Sequence, residues 1–512
     1  MFTGNYVYGE RTDLKYFGAG LQKMLFNSYI FLLGFLPITW CVYFGLNRLG
    51  VFRLAQAALV AASFLFYGYQ DGRLCLLLIV SITANYLLHF WLMSIRLGTN
   101  VRRALLAAGL LVNISLLFYF KYLDFTIRNI NLLTGSSFAL RHIALPLGIS
   151  FYTFQQVSFV VDSYRREMKR YSLLDYALFV SFFPQLVAGP IVLHSEMIPQ
   201  FGDRSRKRIN YGNITSGLEY LILGLSKKVL LADTFGRISD VGYQAVGQLN
   251  CLSAAAVILS YTLEIYFDFS GYCDMAIGLG RLFNIDIPIN FRSPYKAVNI
   301  SDFWKRWHIT LTRFLTTYIY IPLGGNRRGK LRTYLNVMIV FTVSGLWHGA
   351  DWTFVLWGMM HGAMLVLYRM NREKADRMPR WLGWLLTFGF VNAAWVFFRA
   401  DSLIQPFKLY YTLIFGGGGG FLPGVVDAVC QKSAGTVLAA RFLGEGIAGI
   451  LSQITVGAWL AGGMALCALA PSAHEVVASK CRRKAYFAAL AFLFVWSVTR
   501  LSDVSKFIYF NF

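Results

Sequence analysis

The sequence is poor in acid, and its cysteines form no pairs. Against 48 lysines and arginines stand 25 aspartates and glutamates, and charged residues of both signs make up 14% of the 512 residues. A soluble globular chain carries about a quarter. Cys41, Cys75, Cys251, Cys273, Cys430, Cys467 and Cys481 show no CxxC pair and no zinc spacing, which argues against a zinc ribbon or a dithiol redox centre. They read as small hydrophobes. There is no GxxxxGK[ST] phosphate loop, no HExxH zinc helix and no GxSxG nucleophile elbow, and GLGRLF at 278–283 lacks the third glycine of a dinucleotide fingerprint. Residues 1–23 mix charges without an apolar centre, so they do not read as a cleavable secretory signal. Residues 1–24 are expected to form a polar arm or extension, with Met24, at the head of MLFNSYIFLLGFLPI, as the native start.

What the chain has in quantity is apolar sequence. Hydrophobic residues make up 56% and the mean hydropathy is +0.52, values of an integral membrane protein. Runs long enough to cross a bilayer, which takes about 20 helical residues, fall near 28–48, 51–70, 74–95, 103–120, 173–193 and 212–233. Further runs lie near 253–280, 334–347, 352–369, 382–398, 453–470 and 484–500. The fold class is therefore all-α, a polytopic integral membrane helical bundle of about 11–13 helices.

The net charge of +23 does not indicate nucleic acid, because the basic residues sit in short loops between apolar runs: Arg96, Arg102 and Arg103; Arg165, Arg166, Lys169 and Arg170; Arg204, Arg206, Lys207 and Arg208. This is the pattern of cytoplasmic loops facing lipid headgroups. The clusters at 165–170 and 204–208 flank one apolar segment, and a simple crossing would put one of them outside. A re-entrant segment removes the conflict, and FVSFFPQLVAGPIVL carries Pro184, Gly189 and Pro190, which free backbone groups that only protein or a water-filled cavity can satisfy. Gly416–Gly420 reads as a flexible connection that separates a core at 25–401 from C-terminal helices within 402–512.

Within the core, Glu264, Asp268 and Asp274 interrupt an apolar helix at 261–280. Acids at membrane depth are expected to be paired or beside water. Glu264 and Asp268 share a helix face, whereas Asp274 lies about 240° around from Asp268. SDFWKRWHITLTRF at 301–314 opens on Ser301 as an expected N-cap. It interleaves Asp302, Trp304, Arg306, Trp307 and Arg313, which suits interfacial anchoring or contact with an anionic donor. The turn Gly324–Gly329, with Asn326, Arg327 and Arg328, offers backbone N–H groups and guanidinium forks suited to phosphate, and reads equally as a basic loop.

The histidines carry the chemistry. VSGLWHGADWTFVLWGMMHG at 343–362 places His348 between Trp347 and Gly349, with His361 13 residues on. On one continuous helix the two would point about 220° apart, so no two-histidine metal face is expected, and no supporting ligand cluster is present. His361, His89 and His142 read as hydrogen-bonded structural residues. A buried neutral imidazole at His348 can take a proton from a hydroxyl attacking an acyl carbonyl and return it to the leaving group.

YFDFSGYCDMAIGLG, ISDFWKRWHITLTRF, YIYIPLGGNRRG and GLWHGADWTFVLWGMMHG, in that order, resemble the signature blocks of the membrane-bound O-acyltransferase family. Within it the likeness is to the membrane component of bacterial alginate O-acetylation, and LPLGISFYTFQQVSFVVDSYR and FFPQLVAGPI extend the match from Met24 to about Asp401. The resemblance implies a helical bundle around a central tunnel, with His348 as catalytic base and His308 as the second essential polar residue. Asp302, Trp304, Arg306, Arg313, Asn326, Arg327, Trp347, His361 and Asp268 become candidates for lining the donor and acceptor tunnel.

The resemblance further implies acetyl-CoA or another acyl thioester as donor, entering near Arg306, Arg313 and Arg327, with no metal. The acceptor would be an extracytoplasmic polysaccharide resembling alginate. A periplasmic or membrane-tethered partner with a serine esterase-like fold is expected, in the bacterial inner membrane among membrane lipids. Alternatives are D-alanyl transfer to teichoic acids, peptidoglycan O-acetylation and, from another class, a polysaccharide or lipid transporter.

Overall fold

A computed structural model describes residues 24–430, 445–479, 483–501 and 507–508. Most of the expected arm at 1–24, and parts of the expected C-terminal region, lie outside the described residues. All regular elements among those described are helical. Among the described residues six helices are long and apolar enough to cross a membrane: Ile30–Arg48, Gly72–Leu92, Thr99–Thr134, Cys251–Leu282, Arg380–Arg399 and Ala448–Leu469. Phe52–Gly68 and Lys484–Thr499 are shorter apolar helices. Six full-length spans are fewer than the dozen apolar runs suggest, because several of those runs fold as shorter or interrupted helices.

The central helix, Cys251–Leu282, is the axis of the bundle. It runs 32 residues, and most of its side chains are buried, so its apolar sequence serves protein contacts and not lipid. Tyr211–Ser226 lies along it, and Lys227–Ala232 continues that helix with a π-helical stretch. There Lys227 and Lys228 reach back to the central helix. Lys227 Nζ lies 2.6 Å from Asp274, and Lys228 Nζ lies 2.7 Å from Asp268 and 2.8 Å from Asp233. The expected pairing of the membrane acids therefore holds for Asp268 and Asp274. Two adjacent lysines serve carboxylates on different faces because successive residues of a helix point about 100° apart.

The segment at 173–193 is broken. Leu173–Ser181 is helical, Phe182 leaves the helix at φ −51° and ψ 109°, Phe183–Leu186 forms one turn, and 190–193 have no regular structure. This irregular stretch is buried, and protein groups satisfy its backbone. Phe183 N donates to Ser63 Oγ (3.2 Å), Ile191 N to Thr310 Oγ1 (2.9 Å) and Leu193 N to Glu196 Oε2 (3.1 Å). Arg313 donates to the Ile191 carbonyl (3.2 Å) and forks onto Glu196. Pro184, Gly189 and Pro190 thus sit where irregular backbone is tolerated at membrane depth.

Gly329–His348 and Trp352–Met370 form a helical hairpin. The chain turns at Gly349–Asp351, with Asp351 accepting from Thr353 N at 3.3 Å. His348 and His361 therefore lie on two helices and not on one. The pair crosses at Gly345 and Gly358, where a Cβ added to Gly358 would stand 3.0 Å from the Gly345 Cα. The glycines of Gly416–Gly420 are tied to neighbouring segments: Gly417 O accepts from Cys251 N (3.3 Å) and Gly420 O from Asn250 Nδ2 (2.8 Å).

Candidate active site

The WHI and WHG sequences meet in space. His308 is fully buried at the junction of Ile300–Arg306 and Ile309–Leu315, with φ 45° and ψ 52°. A left-handed backbone at a bulky residue is costly and persists only where neighbours impose it. Asn290 supplies that constraint. Its carbonyl accepts from Ile309 N (3.1 Å), and its side-chain Oδ1 accepts from Thr310 N (3.1 Å) and Thr310 Oγ1 (3.0 Å). The same Oδ1 lies 3.2 Å from His308 Nδ1.

His348 is the last residue of its helix, and its Nδ1 lies 2.6 Å from the Ser344 carbonyl oxygen. A carbonyl oxygen only accepts, so Nδ1 carries the proton and Nε2 of the neutral ring keeps its lone pair. The two imidazole centroids are 6.2 Å apart. Trp347 touches both rings, at 6.0 Å from His308 and 4.9 Å from His348, while Trp357 and Phe398 close on His348 at 5.0 and 5.4 Å. This wall keeps bulk water from the imidazoles and leaves them oriented for proton transfer.

The helix end that carries His348 is capped from another part of the chain. Lys121, in a π-helical stretch of Thr99–Thr134, donates to the Trp347 carbonyl and lies 3.4 Å from the His348 carbonyl and 3.2 Å from Ser150 Oγ. Tyr122 donates to the Leu346 carbonyl at 2.9 Å. The final carbonyls of a helix have no partners within it, and a cation there also opposes the helix dipole. Lys121, Tyr122, Ser150, Asn290 and Ser344 are all missed from sequence. The available signal for Lys121 is a lone cation in FYFKYLDF, and a span bounded at 120 by composition stops one residue short of it.

The other candidates divide. Trp304 is 5% exposed and packs edge-on to Phe341 (4.9 Å) and His361 (5.1 Å). Trp307 is 1% exposed, so neither tryptophan anchors at the interface, because the short helix that carries them is enclosed by other helices. Asn299, not Ser301, caps that helix, with Asp302 N 2.8 Å from Asn299 Oδ1.

Asp302 pairs with Arg306 at 2.8 Å, and Arg313 is committed to Glu196. Asn326 and Arg327 lie on an exposed turn. Asp268 points to Lys228, and the Phe269 beside it packs on His308 at 4.8 Å. His89 is hydrogen-bonded to Ser163 (2.8 Å). His361 is fully buried among Trp304, Trp357 and Phe390, and neither ring nitrogen has a hydrogen-bond partner among the described residues. Among the described residues no group of three or more His, Cys, Asp or Glu is placed to hold a metal ion.

A cavity of about 210 Å³ approaches the pair. Its walls include Leu311 and Leu315 beyond His308, Trp304, and Ser344, whose carbonyl holds His348; Lys305 and Arg369 supply cations.

Residues 85–403 match the membrane-bound O-acyltransferase family. The chain is 45% identical over 416 residues to the protein named Peptidoglycan O-acetyltransferase of Helicobacter pylori, across 75% of this chain and 79% of that one. It is 36% identical over 400 residues to Probable alginate O-acetylase AlgI of Pseudomonas aeruginosa, across 77% and 75%. To Teichoic acid D-alanyltransferase of Streptococcus thermophilus it is 29% identical over 284 residues, across 49% and 68%. Apolar helices, a buried histidine pair and relatives aligned over three quarters of the chain lead to one conclusion: this multi-pass membrane protein is an acyltransferase of the membrane-bound O-acyltransferase family.

Proposed function

We propose that the protein moves an acetyl group from a cytoplasmic thioester to a hydroxyl of an extracytoplasmic glycan, with His348 as general base. The observation that carries this reading is the 2.6 Å contact from His348 Nδ1 to the Ser344 carbonyl, which puts the proton on Nδ1 and makes Nε2 the basic nitrogen. Nε2 takes the hydroxyl proton as the oxygen attacks the thioester carbonyl. The tetrahedral intermediate collapses with loss of thiolate, and the imidazolium returns the proton to sulfur. His308, 6.2 Å away by ring centroids, bounds the space in which the carbonyl sits and positions the acceptor.

The cavity lined by Leu311, Leu315, Val340 and Phe341 suits the narrow arm of a thioester. Lys305 and Arg369 there are better placed to meet its polar end than Arg306 and Arg313, which are engaged with carboxylates. A tunnel role for Trp347 is supported by its contact with both rings, whereas Trp304 and His361 reach His348 through Trp357.

The relatives support one acceptor over the others. Identity of 45% to a peptidoglycan O-acetyltransferase against 36% to an alginate O-acetylase favours peptidoglycan over an alginate-like exopolysaccharide. D-alanyl transfer is the weaker reading, because that relative aligns with about half of the chain. A separate esterase-like partner is expected at the outer face of the bacterial inner membrane to complete delivery.

The test is radiolabelled acetyl-CoA supplied to membranes carrying the wild-type chain or His348→Ala at matched expression. Label in muropeptides with wild type alone supports the reading, and label in soluble polysaccharide shifts the acceptor. Equal label with both chains refutes His348 as base. No label with either chain refutes direct transfer from acetyl-CoA by this chain alone.

A further inference from the structure

A large cavity lined by cations lies away from the histidines. It measures about 980 Å³ and is lined by Arg53, Arg166, Lys169, Arg204 and Lys207, cations brought together from three separate stretches of chain. The only acids in its wall are Glu167 and Asp175. Asp175 is consumed by Gln56 Nε2 (2.7 Å) and Arg53 (3.2 Å), and Glu167 faces Arg165 at 3.8 Å.

Four cations remain without a carboxylate within 4 Å among the described residues. Arg166 donates to the Ser94 carbonyl (3.2 Å) and Arg204 lies over the Phe52 ring (5.9 Å), neither of which neutralises charge. Lys207 is 8% exposed, with Tyr43 Oη at 3.4 Å. Burial pushes its ammonium below the ordinary lysine value despite the charges of Asp175 and Asp203, and a buried cation with no carboxylate in contact is costly unless an anion joins it.

The cavity also settles a topological point. Arg166 and Lys169 belong to one basic loop, Arg204 and Lys207 to the other, and all four face one space. Both loops therefore lie at the same membrane face, which the positive-inside tendency assigns to the cytoplasm. The site is remote from the chemistry. The helix Ile149–Arg165 starts beside Trp347 and ends at the cavity, and its 17 residues span about 25 Å.

We propose that this cavity binds a phosphate-bearing anion at the cytoplasmic face, either a soluble phosphorylated molecule or the headgroup of an anionic lipid. Its volume exceeds what one inorganic phosphate needs and suits a ligand with two phosphates. Phosphate oxygens would take the open guanidinium and ammonium donors in charge-assisted bonds. Lys207 is the buried anchor, and Arg166 and Lys169 form the exposed rim.

The test is binding, independent of acetyl transfer, on full-length protein in an uncharged detergent. Pyrophosphate and adenosine 3′,5′-bisphosphate are titrated by calorimetry, and retention of phosphatidylglycerol against phosphatidylcholine is read by native mass spectrometry from nanodiscs. Lys207→Gln, and separately the rim variant Arg166→Gln/Lys169→Gln, should weaken binding by at least about tenfold, while the exposed Lys374→Gln, of equal charge change, should not. Rim loss carries the test should Lys207→Gln misfold. Saturable bisphosphate binding lost in the cavity variants supports a soluble ligand, and phosphatidylglycerol retention lost in them supports a headgroup. Binding that is absent, or that falls equally in Lys374→Gln, overturns the proposal.

Discussion

Lys121→Met tests whether His348, the proposed base, depends on a cap supplied from another helix. The substitution keeps the length of the stem and removes the ammonium that meets the Trp347 and His348 carbonyls and Ser150 Oγ. A hydrogen bond from a charged donor contributes about 1.5–3 kcal/mol, and a cation at a helix C-terminus about 0.3–1 kcal/mol. Against these stands the cost of holding a partly exposed lysine in a largely apolar wall, so the net loss of stability is about 2 kcal/mol. The helix end that loosens is the one that carries His348, and a misplacement of about 1 Å at a reacting group costs about 10²-fold in rate. The expected result in an acetyl-transfer assay is kcat lower by about 10²-fold with KM within about threefold. Lys121→Arg, which retains a cation, should recover part of the loss. A Lys121→Met enzyme with kcat within about twofold of wild type refutes the argument. A loss confined to KM refutes it too, since it would place Lys121 on the donor.

Asn290→Ala leaves both histidines in place but removes the acceptor of His308 Nδ1–H and Thr310; kcat should fall about 10²-fold in the same assay, and unchanged kcat would show that His308 needs no such support. Thr316 is exposed at the edge of the 210 Å³ cavity, so Thr316→Trp should raise KM for the thioester at least about tenfold with an unaltered thermal midpoint. Asp268→Asn removes one of the carboxylates that meet buried Lys228, and should cost about 3 kcal/mol in detergent unfolding while kcat of the folded fraction is kept. A kcat loss without destabilisation would instead put Asp268 in the tunnel.

How much was legible follows the sequence separation of each interaction. His308 and His348 stand out because short motifs surround them, and the apolar runs announce a membrane bundle by composition alone. The break at 173–193 is visible because Pro184, Gly189 and Pro190 are local signals. The partners are not local. Asn290 lies 18 residues before His308, Lys228 40 residues before Asp268, and Lys121 226 residues before Trp347. Nothing in a single sequence aligns such positions. Trp304 and Trp307 mislead for the opposite reason: an aromatic basic helix has the composition of an interfacial anchor, and only the enclosing helices decide that the rings are core.

The site has a common physical origin with the irregularities of the fold. His348 ends a helix, His308 joins two short ones, and Ile191, which donates to Thr310, lies in broken backbone. Each break frees peptide groups that lipid cannot satisfy, so each needs polar side chains deep in the bundle. Lys121 and Tyr122 serve the first and Asn290 and Thr310 the second, while Thr310 with Arg313 and Glu196 serves the third. Imidazoles placed at such breaks lie beside polar groups that the capping already fixes in place. Replacing a cap should therefore impair both the fold and the reaction, whereas replacing an ion pair on the continuous central helix, such as Lys228–Asp268, should impair the fold alone. That contrast between Lys121→Met and Asp268→Asn separates polar groups that support chemistry from those that hold helices together.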